Sequence, residues 1–554
     1  MKSPWLYLVF ALSALLSSVS YAVVDMKNAN FSQTWVDAEV PGVGYDLRVQ
    51  RTYNSRSLFN GIFGFGWCSD FETRMNITAE GNLKITECGA GQEMFFSPRE
   101  ISRKDIDNTV QKIVAKLRAE KVVGRTEEYY KKISAELLEL DMKRAQLALQ
   151  HGVAVPIKEG TKFYANGREV EHVVFQKTFY TRNLGDGSSQ RFDTKGRMTH
   201  MYDKNGNFLK FEYDKDNMTQ VVDNNSRKLT FRYYSNKKVK EITGPNSMKA
   251  EYQYKDLDDL VFAKNAWKNT YTYKYDELHN LTQATWPDKT AIVLKYDTKK
   301  DWVTSFTDRN KCNESYNYEL SKENPKGHYW STVKKVCGKE VVADDKYEFW
   351  YKQRADGEWA LSRVLSDVKG NLTDISYDDT TGKPTAIRRN QDRLVFEYFP
   401  NGLVKTKAGA TAKQSFKYEG INSKISDVTT EYFNQKGERV STRTTTFKYD
   451  PKGNLTYAQN SDGQKVNMTY DNKGRIASIT DQAKKLVKIQ YEERYGKPAV
   501  VTRPGLGTIK VSYKSSGEIE KVDSKDGPSV ALQVASTFNN MLDIIAPATT
   551  DIYL

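Results

Sequence analysis

Five histidines and four cysteines are the side chains here best suited to bind a metal, move a proton or attack a substrate. His151, His172, His200, His279 and His328 each stand alone, with no second histidine, cysteine or carboxylate at zinc-ligand spacing. The chain carries no Gly-x-Ser-x-Gly elbow, no His-Glu-x-x-His pair and no phosphate-binding glycine loop. Carboxylates are plentiful, yet nothing in their spacing selects a pair for glycoside hydrolysis. The stretch Asp203-Lys-Asn205-Gly206 is similar to the start of a calcium loop but lacks the trailing glutamate, and an aspartate-led turn accounts for it. The residues therefore predict no catalytic, cofactor or metal site.

What the sequence does space regularly is tyrosine. From Phe192 the series runs Tyr213, Tyr233, Tyr254, Tyr275, Tyr296, then Tyr377, Tyr398, Tyr418, then Tyr449, Tyr470, Tyr491 and Tyr513. A fixed step of about 21 residues marks units that stack on their neighbours. In the copy from Lys465 to Asp481, Val466, Met468 and Tyr470 alternate with polar residues, as on a half-buried strand. Asp471 then starts a turn, Gly474 supplies a positive φ, and Ile476 and Ile479 resume on a second strand. Leu229, Phe231, Tyr233, Val239 and Ile242 repeat the pattern, as do Ile509, Val511, Tyr513, Ile519 and Val522. Each unit is expected to be a hairpin, and because one hairpin alone is marginal in water, neighbours must pair into a long sheet. In this reading tyrosine packs and bonds along the sheet and aspartate shapes the turn.

Composition agrees. The chain has 554 residues, 38% hydrophobic, with 34 Tyr and 34 Gly, and a mean hydropathy of −0.69; a curled sheet with one polar face fits this. Residues 1–22 read as a secretory signal: Lys2, the apolar run Trp5 to Leu16, then Ser20-Tyr21-Ala22. No further run approaches a membrane span. Export favours disulfides, and proximity pairs Cys68 with Cys88 and Cys312 with Cys337, although connectivity is not legible from sequence. The net charge of +14, from 84 basic and 70 acidic residues, is spread along the chain. Export argues against nucleic acid as a partner. Outward lysines that discourage edge pairing are the plainer reading, and attraction to an anionic envelope polymer or acidic protein the sharper one.

The unit Tyr449-Asp450-Pro-Lys-Gly453-Asn454-Leu455, with its counterpart Tyr470-Asp471-x-x-Gly474, resembles the YD repeats of Rhs-type and teneurin-like proteins. Upstream, Val24-Asp25, Val40-Pro41-Gly42, Arg51-Thr52-Tyr53-Asn54-Ser55-Arg56 and Gly61-Ile-Phe-Gly64-Phe-Gly66-Trp67 resemble the domain that precedes the repeats in bacterial Rhs proteins. The resemblance covers about residues 24–523, with an interruption. It implies an all-β fold, a spiralling antiparallel sheet of hairpins forming a partial shell or barrel. It also implies structural roles for Arg51, Tyr53, Asn54, Arg56, Gly64, Gly66, Trp67, Tyr449, Asp450, Gly453, Tyr470, Asp471 and Gly474. Toxin-carrying members enclose a C-terminal effector; here the aspartate-proline processing motif is not recognisable and only a short tail follows the last repeat, so a toxin domain is not expected.

Two segments break the β pattern. In 99–152, Ser102 with Asp105 makes a capping box ahead of Ile106, Val110, Ile113 and Leu117 at helical spacing. After Gly124, Thr126 caps a second helix striped by Tyr130, Ile133, Leu137, Leu140 and Leu147 and ending at His151-Gly152. The plain expectation is a helical hairpin whose stripes bury each other, the alternative a docking arm. In the tail, Leu532, Ala535, Phe538, Met541 and Ile545 share a helical face, as for a strap over one end of the sheet. The expected organisation is a signal (1–22), an N-terminal β domain (23–98), the insert (99–152), the repeat array (153–523) and a tail (524–554). The function expected is that of an exported, non-enzymatic scaffold without cofactor, acting at the cell envelope or surface on a protein or anionic glycan. The alternative is a shell component carrying a separately encoded cargo, in assembly with another shell-forming chain.

Overall fold

A computed structural model describes residues 23–87, 92–98, 102–165, 167–255, 258–354, 359–420, 422–514 and 517–524, together with Leu532, Val534, Ser536, Thr537, Phe538 and Ile544. The expected signal, residues 1–22, and Cys88 lie outside them. Its dominant element is one antiparallel sheet of 33 strands, in which every strand from Lys162–Ala165 to Ile519–Ser524 pairs with its neighbour in sequence. The first and last strands do not pair with each other, so the sheet is open.

The repeat carries its own curvature. At each tyrosine of the series the ladder slips by one residue: between Glu212 and Tyr213, Lys274 and Tyr275, Lys448 and Tyr449, Thr469 and Tyr470, and likewise through Ser512 and Tyr513. Phe192 at the head of the series has the same slip after Arg191. A bulge bends its strand and raises the local twist, so a bulge at one fixed place per hairpin curls the whole sheet. Hydrogen bonds between turns show how far it curls. Lys424 reaches the Asp186 carbonyl across 238 residues, Lys204 the Gly453 carbonyl across 249, and Asn207 the Lys473 carbonyl across 266. One winding thus takes about twelve hairpins of the repeat, and the turns that follow the tyrosines in the second winding sit on the opposite turns of the first. Among these contacts Asn454 donates to Asn205 at 2.9 Å and Arg494 to Asn246 at 2.7 Å.

Inside the first winding lies the N-terminal domain. It comprises a four-stranded sheet (Val23–Val24, Phe31–Val40, Leu47–Asn54, Trp67–Cys68), the small hairpin Asn60–Gly61/Gly64–Phe65 and a three-stranded sheet (Arg74–Ile77, Leu83–Glu87, Gln92–Phe96). Phe31, Trp35, Tyr53, Phe63 and Trp67 share one core with the inward residues of the array, among them Leu229, Phe231, Tyr252, Tyr273, Leu294 and Phe306. A bridge from Ser97 to Tyr164 connects this domain to the first strand of the spiral.

The insert forms three helices: α1 (Arg103–Ala119), α2 (Glu127–Glu139) and α3 (Asp141–Gln150). Ser102 and Asp105 cap α1 reciprocally and Thr126 caps α2, as their sequence signals predict. The single second helix expected up to His151 is instead broken at Leu140, whose ψ of 85° leaves the helical region. Side chains of α3 pull that segment onto the N-terminal domain. Arg144 pairs with Glu80 at 2.7 Å with both nearly buried, and Lys84 pairs with Asp141 at 3.0 Å. Val110, Ile113, Leu117, Tyr130, Ile133 and Leu137 bury one another with Ala79 and Ala148.

The tail differs from its expected pattern. Leu532 is 69% exposed, whereas Phe538 and Ile544 pack on Val428, Phe447, Val466, Met468 and Ile479, the inward face of the second winding. Ala535, Met541 and Ile545 lie outside the described residues. Cys312 and Cys337 are disulfide-bonded, and Cys68 is also in a disulfide.

Candidate functional site: the lock between N-terminal domain and spiral

Each bulge frees one carbonyl and one amide on the residue that follows the turn, and most repeats use the carbonyl again. The carbonyl takes the hydroxyl of the next tyrosine. Tyr213 donates to Met198, Tyr233 to Met218, Tyr275 to Leu260, Tyr296 to Leu281, Tyr398 to Pro384, Tyr418 to Val404, Tyr449 to Ile425, Tyr470 to Leu455, Tyr491 to Ile476 and Tyr513 to Pro498. Tyrosine suits this position because its ring fills the sheet while its tip satisfies a buried acceptor. The adjoining aspartate shapes the turn: Asp471 Oδ1 accepts from the Lys473 and Arg475 amides, and Asp450 Oδ1 from the Lys452 and Asn454 amides. Gly453 and Gly474, both at φ 81°, close these turns.

In the first winding three of the freed amides are taken by the N-terminal domain. Val239 donates to the Ile62 carbonyl at 2.9 Å, Leu281 to the Tyr53 hydroxyl at 2.9 Å and Val303 to the Ala29 carbonyl at 3.3 Å. The domain therefore docks against the period of the repeat itself. Tyr254 breaks the tyrosine rule for the same reason, its hydroxyl turning to the Ile62 carbonyl at 3.4 Å.

At the centre sits a buried ion pair. Arg51 Nε donates to Asp37 Oδ2 at 2.6 Å, and both side chains are fully excluded from solvent. Arg51 Nη2 donates to the Tyr273 hydroxyl at 2.7 Å, and Tyr252 donates to Asp37 at 2.8 Å. The guanidinium lies 4.6 Å from the Trp67 ring centre, with Trp35, Tyr252 and Tyr273 around it. Burial alone would draw its pKa down, but Asp37 and the two hydroxyls more than reverse this and it stays charged. Burial pushes the hydroxyls of Tyr53, Tyr252, Tyr273 and Tyr275 well up. Trp67 Nε1 donates to Tyr275 at 2.9 Å. Asn54 accepts from Asn30 at 3.2 Å, and Arg56 reaches the Lys300 carbonyl at 3.2 Å.

A second contact lies at the rim. Lys238 Nζ donates to Asn60 Oδ1 at 2.6 Å and the Gly61 carbonyl at 2.8 Å, beside Asp258. Gly64, at φ 97°, passes so close to Asp258 that a Cβ would lie 2.2 Å from its carbonyl oxygen, and at Gly66 a Cβ would meet the Tyr53 ring at 2.7 Å. Beneath this loop the buried Glu72 accepts from the Ile62 amide at 2.7 Å and the Ser69 amide at 3.1 Å; burial nevertheless lifts its pKa to about 7.

These groups form an interface between the N-terminal domain and the spiral. Among the described residues no cluster of histidine, cysteine or carboxylate is arranged to hold a metal. The histidines are dispersed: His151 meets Glu120, His172 meets Asn183, His200 stacks on Tyr202, His279 meets Asp259 and His328 meets Glu348. Sequence reasoning singled out Arg51, Tyr53 and Trp67 but not Asp37, Tyr252 or Tyr273, which complete the lock. Tyr252 and Tyr273 each stand two residues ahead of a repeat tyrosine, where copies such as Phe211, Phe231 and Leu294 carry an apolar residue, and that hydroxyl is a signal the repeat alignment contained.

Residues 22–95 match a family profile described as a domain of unknown function (DUF6531), and residues 180–335 match the teneurin YD-shell. Among solved structures, one described as TcdB2-TccC3-TEV aligns at 12% identity over 96% of this chain and 29% of that one, with a TM-score of 0.42. The Photorhabdus luminescens Tc holotoxin pore aligns at 11% identity over 92% and 32%, with a TM-score of 0.28. The chain thus spans about three tenths of the length of these structures. No curated protein matches its sequence. The bulged tyrosine hairpins of residues 180–335 are thus similar to the teneurin YD-shell, and the domain that locks into them carries the second match.

Proposed function

We propose that this YD-repeat scaffold is an exported, non-enzymatic structural or binding module of the cell envelope or surface, whose partner is a protein or an anionic glycan. The observation that carries this reading is the filled first winding: its own N-terminal domain occupies the interior and is bonded to the repeat amides at Val239, Leu281 and Val303. A scaffold packed in this way offers its outer face and rims to a partner. The positive charge favours an anionic partner. The carrier reading draws on a different observation. Toward the end of the first winding, past the residues that share a core with the N-terminal domain, the inward residues Ile375, Ile387 and Phe396 are only half-buried, which leaves apolar lining for a further chain.

Affinity capture from the envelope fraction of the producing cell, with eluted proteins and sugars both identified, tests the proposal. A saturable envelope protein or anionic glycan is the expected result. A stoichiometric partner that becomes protease-resistant only in the complex would overturn it in favour of the carrier.

A further inference from the structure

The α1–α2 turn presents apolar side chains that no part of the described structure covers. Val122 is 47% and Val123 98% exposed. The turn is held in place: Lys121 at φ 50° and Gly124 at φ 91° flank the two valines, and Arg125 donates to the Leu117 carbonyl at 3.1 Å and to Glu120 at 2.6 Å. His151, 2.9 Å from Glu120, brings the end of α3 to the same place, and with it Leu149, 76% exposed. The valines have no cavity to fold into, because the helical stripes behind them, from Ile113 and Leu117 to Tyr130 and Ile133, are already buried against one another. Around them, residues 112–132 carry seven basic side chains (Lys112, Lys116, Arg118, Lys121, Arg125, Lys131, Lys132) against three acidic ones, a net charge of +4.

We propose that this end of the helical insert is a peripheral contact for an anionic lipid surface. Two valines and a leucine are too small a patch for a stable protein interface, which needs about 800 Å² from each side. They suit shallow insertion at a headgroup boundary, where a weak apolar contact and a basic rim act together as two signals. The insert lies between the two matched ranges, 22–95 and 180–335. The contact does not depend on the scaffold reading, since it concerns the purified protein and a vesicle alone.

The test is co-sedimentation of the purified chain from residue 23 with phosphatidylcholine vesicles, with and without phosphatidylglycerol at about one lipid in three. Binding is expected only to the anionic vesicles and is lost at high salt. Val122→Asp with Val123→Asp, and separately Lys116→Glu with Lys121→Glu, should each weaken partition about tenfold or more. Val341→Asp, a change at a valine of the spiral about as exposed as Val122, should leave it unchanged. Absence of binding to anionic vesicles would overturn the proposal, as would equal binding by the valine variant or an equal loss in the Val341→Asp protein.

Discussion

The hydroxyl of Tyr275 joins two different chains of contact: it donates to the Leu260 carbonyl at 2.9 Å and accepts from Trp67 Nε1 at 2.9 Å. The first bond recurs in most repeats, while the second ties this tyrosine to the N-terminal domain. Tyr470, bonded to the Leu455 carbonyl at 2.8 Å, has the first bond without the second. Tyr470→Phe should therefore cost about 1 kcal/mol, one net hydrogen bond, whereas Tyr275→Phe orphans a buried donor as well as a buried acceptor and should cost about 3 kcal/mol. Urea unfolding of the two variants measures the difference.

Asp37→Ala leaves the Arg51 guanidinium buried without its counter-charge and should destabilise by about 3–5 kcal/mol. Replacing both partners by apolar residues of similar size removes the charge altogether and should be much milder. If thermal unfolding found the double variant as damaged as Asp37→Ala, the lock would depend on something other than this pair.

Gly474 and Gly463 share nearly the same backbone, φ 81° and 84°, but not the same surroundings. A Cβ on Gly474 would lie 2.1 Å from the Asn205 side chain in the seam, while one on Gly463 meets nothing within 4 Å. Gly463→Ala should cost only the left-handed strain, about 1–2 kcal/mol. Gly474→Ala should in addition disturb the Asn454–Asn205 bond and speed hydrogen exchange at 203–207 and 473–475.

Glu72, with a pKa of about 7 in the folded protein against 4.5 for an ordinary glutamate, favours its protonated form on folding. The folded state then binds more protons than the unfolded state between about pH 4.5 and 7, so this group's contribution to stability falls as pH rises through that window and levels off above it. Glu72→Gln does not titrate, and its stability curve should be flatter there. An unchanged slope in chemical denaturation across that range would refute the assignment.

Strand and turn were legible in the chain because both are local. Alternation in Val466, Met468 and Tyr470, and the Asp471 to Gly474 turn, each concern residues within one hairpin, and backbone sterics act at that range. The same holds for the caps at Ser102 and Thr126. Leu140 shows where local reasoning stops: its apolar spacing continues the helix, yet Arg144 and Asp141 answer to Glu80 and Lys84 on another element, and the chain breaks there. By itself, then, the sequence determined the repeat, its tyrosine period and the hairpin turn that follows, while the bulge at the tyrosine appears only in the paired strands. Only the tertiary structure decided that a winding closes after some 250 residues, that Asn205 meets Gly474 and Asn454, and that Arg51 finds Asp37, Tyr252 and Tyr273. Those pairings follow from small bends added over about twelve hairpins and from which buried polar groups remain for a distant segment to satisfy, and no single repeat contains either quantity.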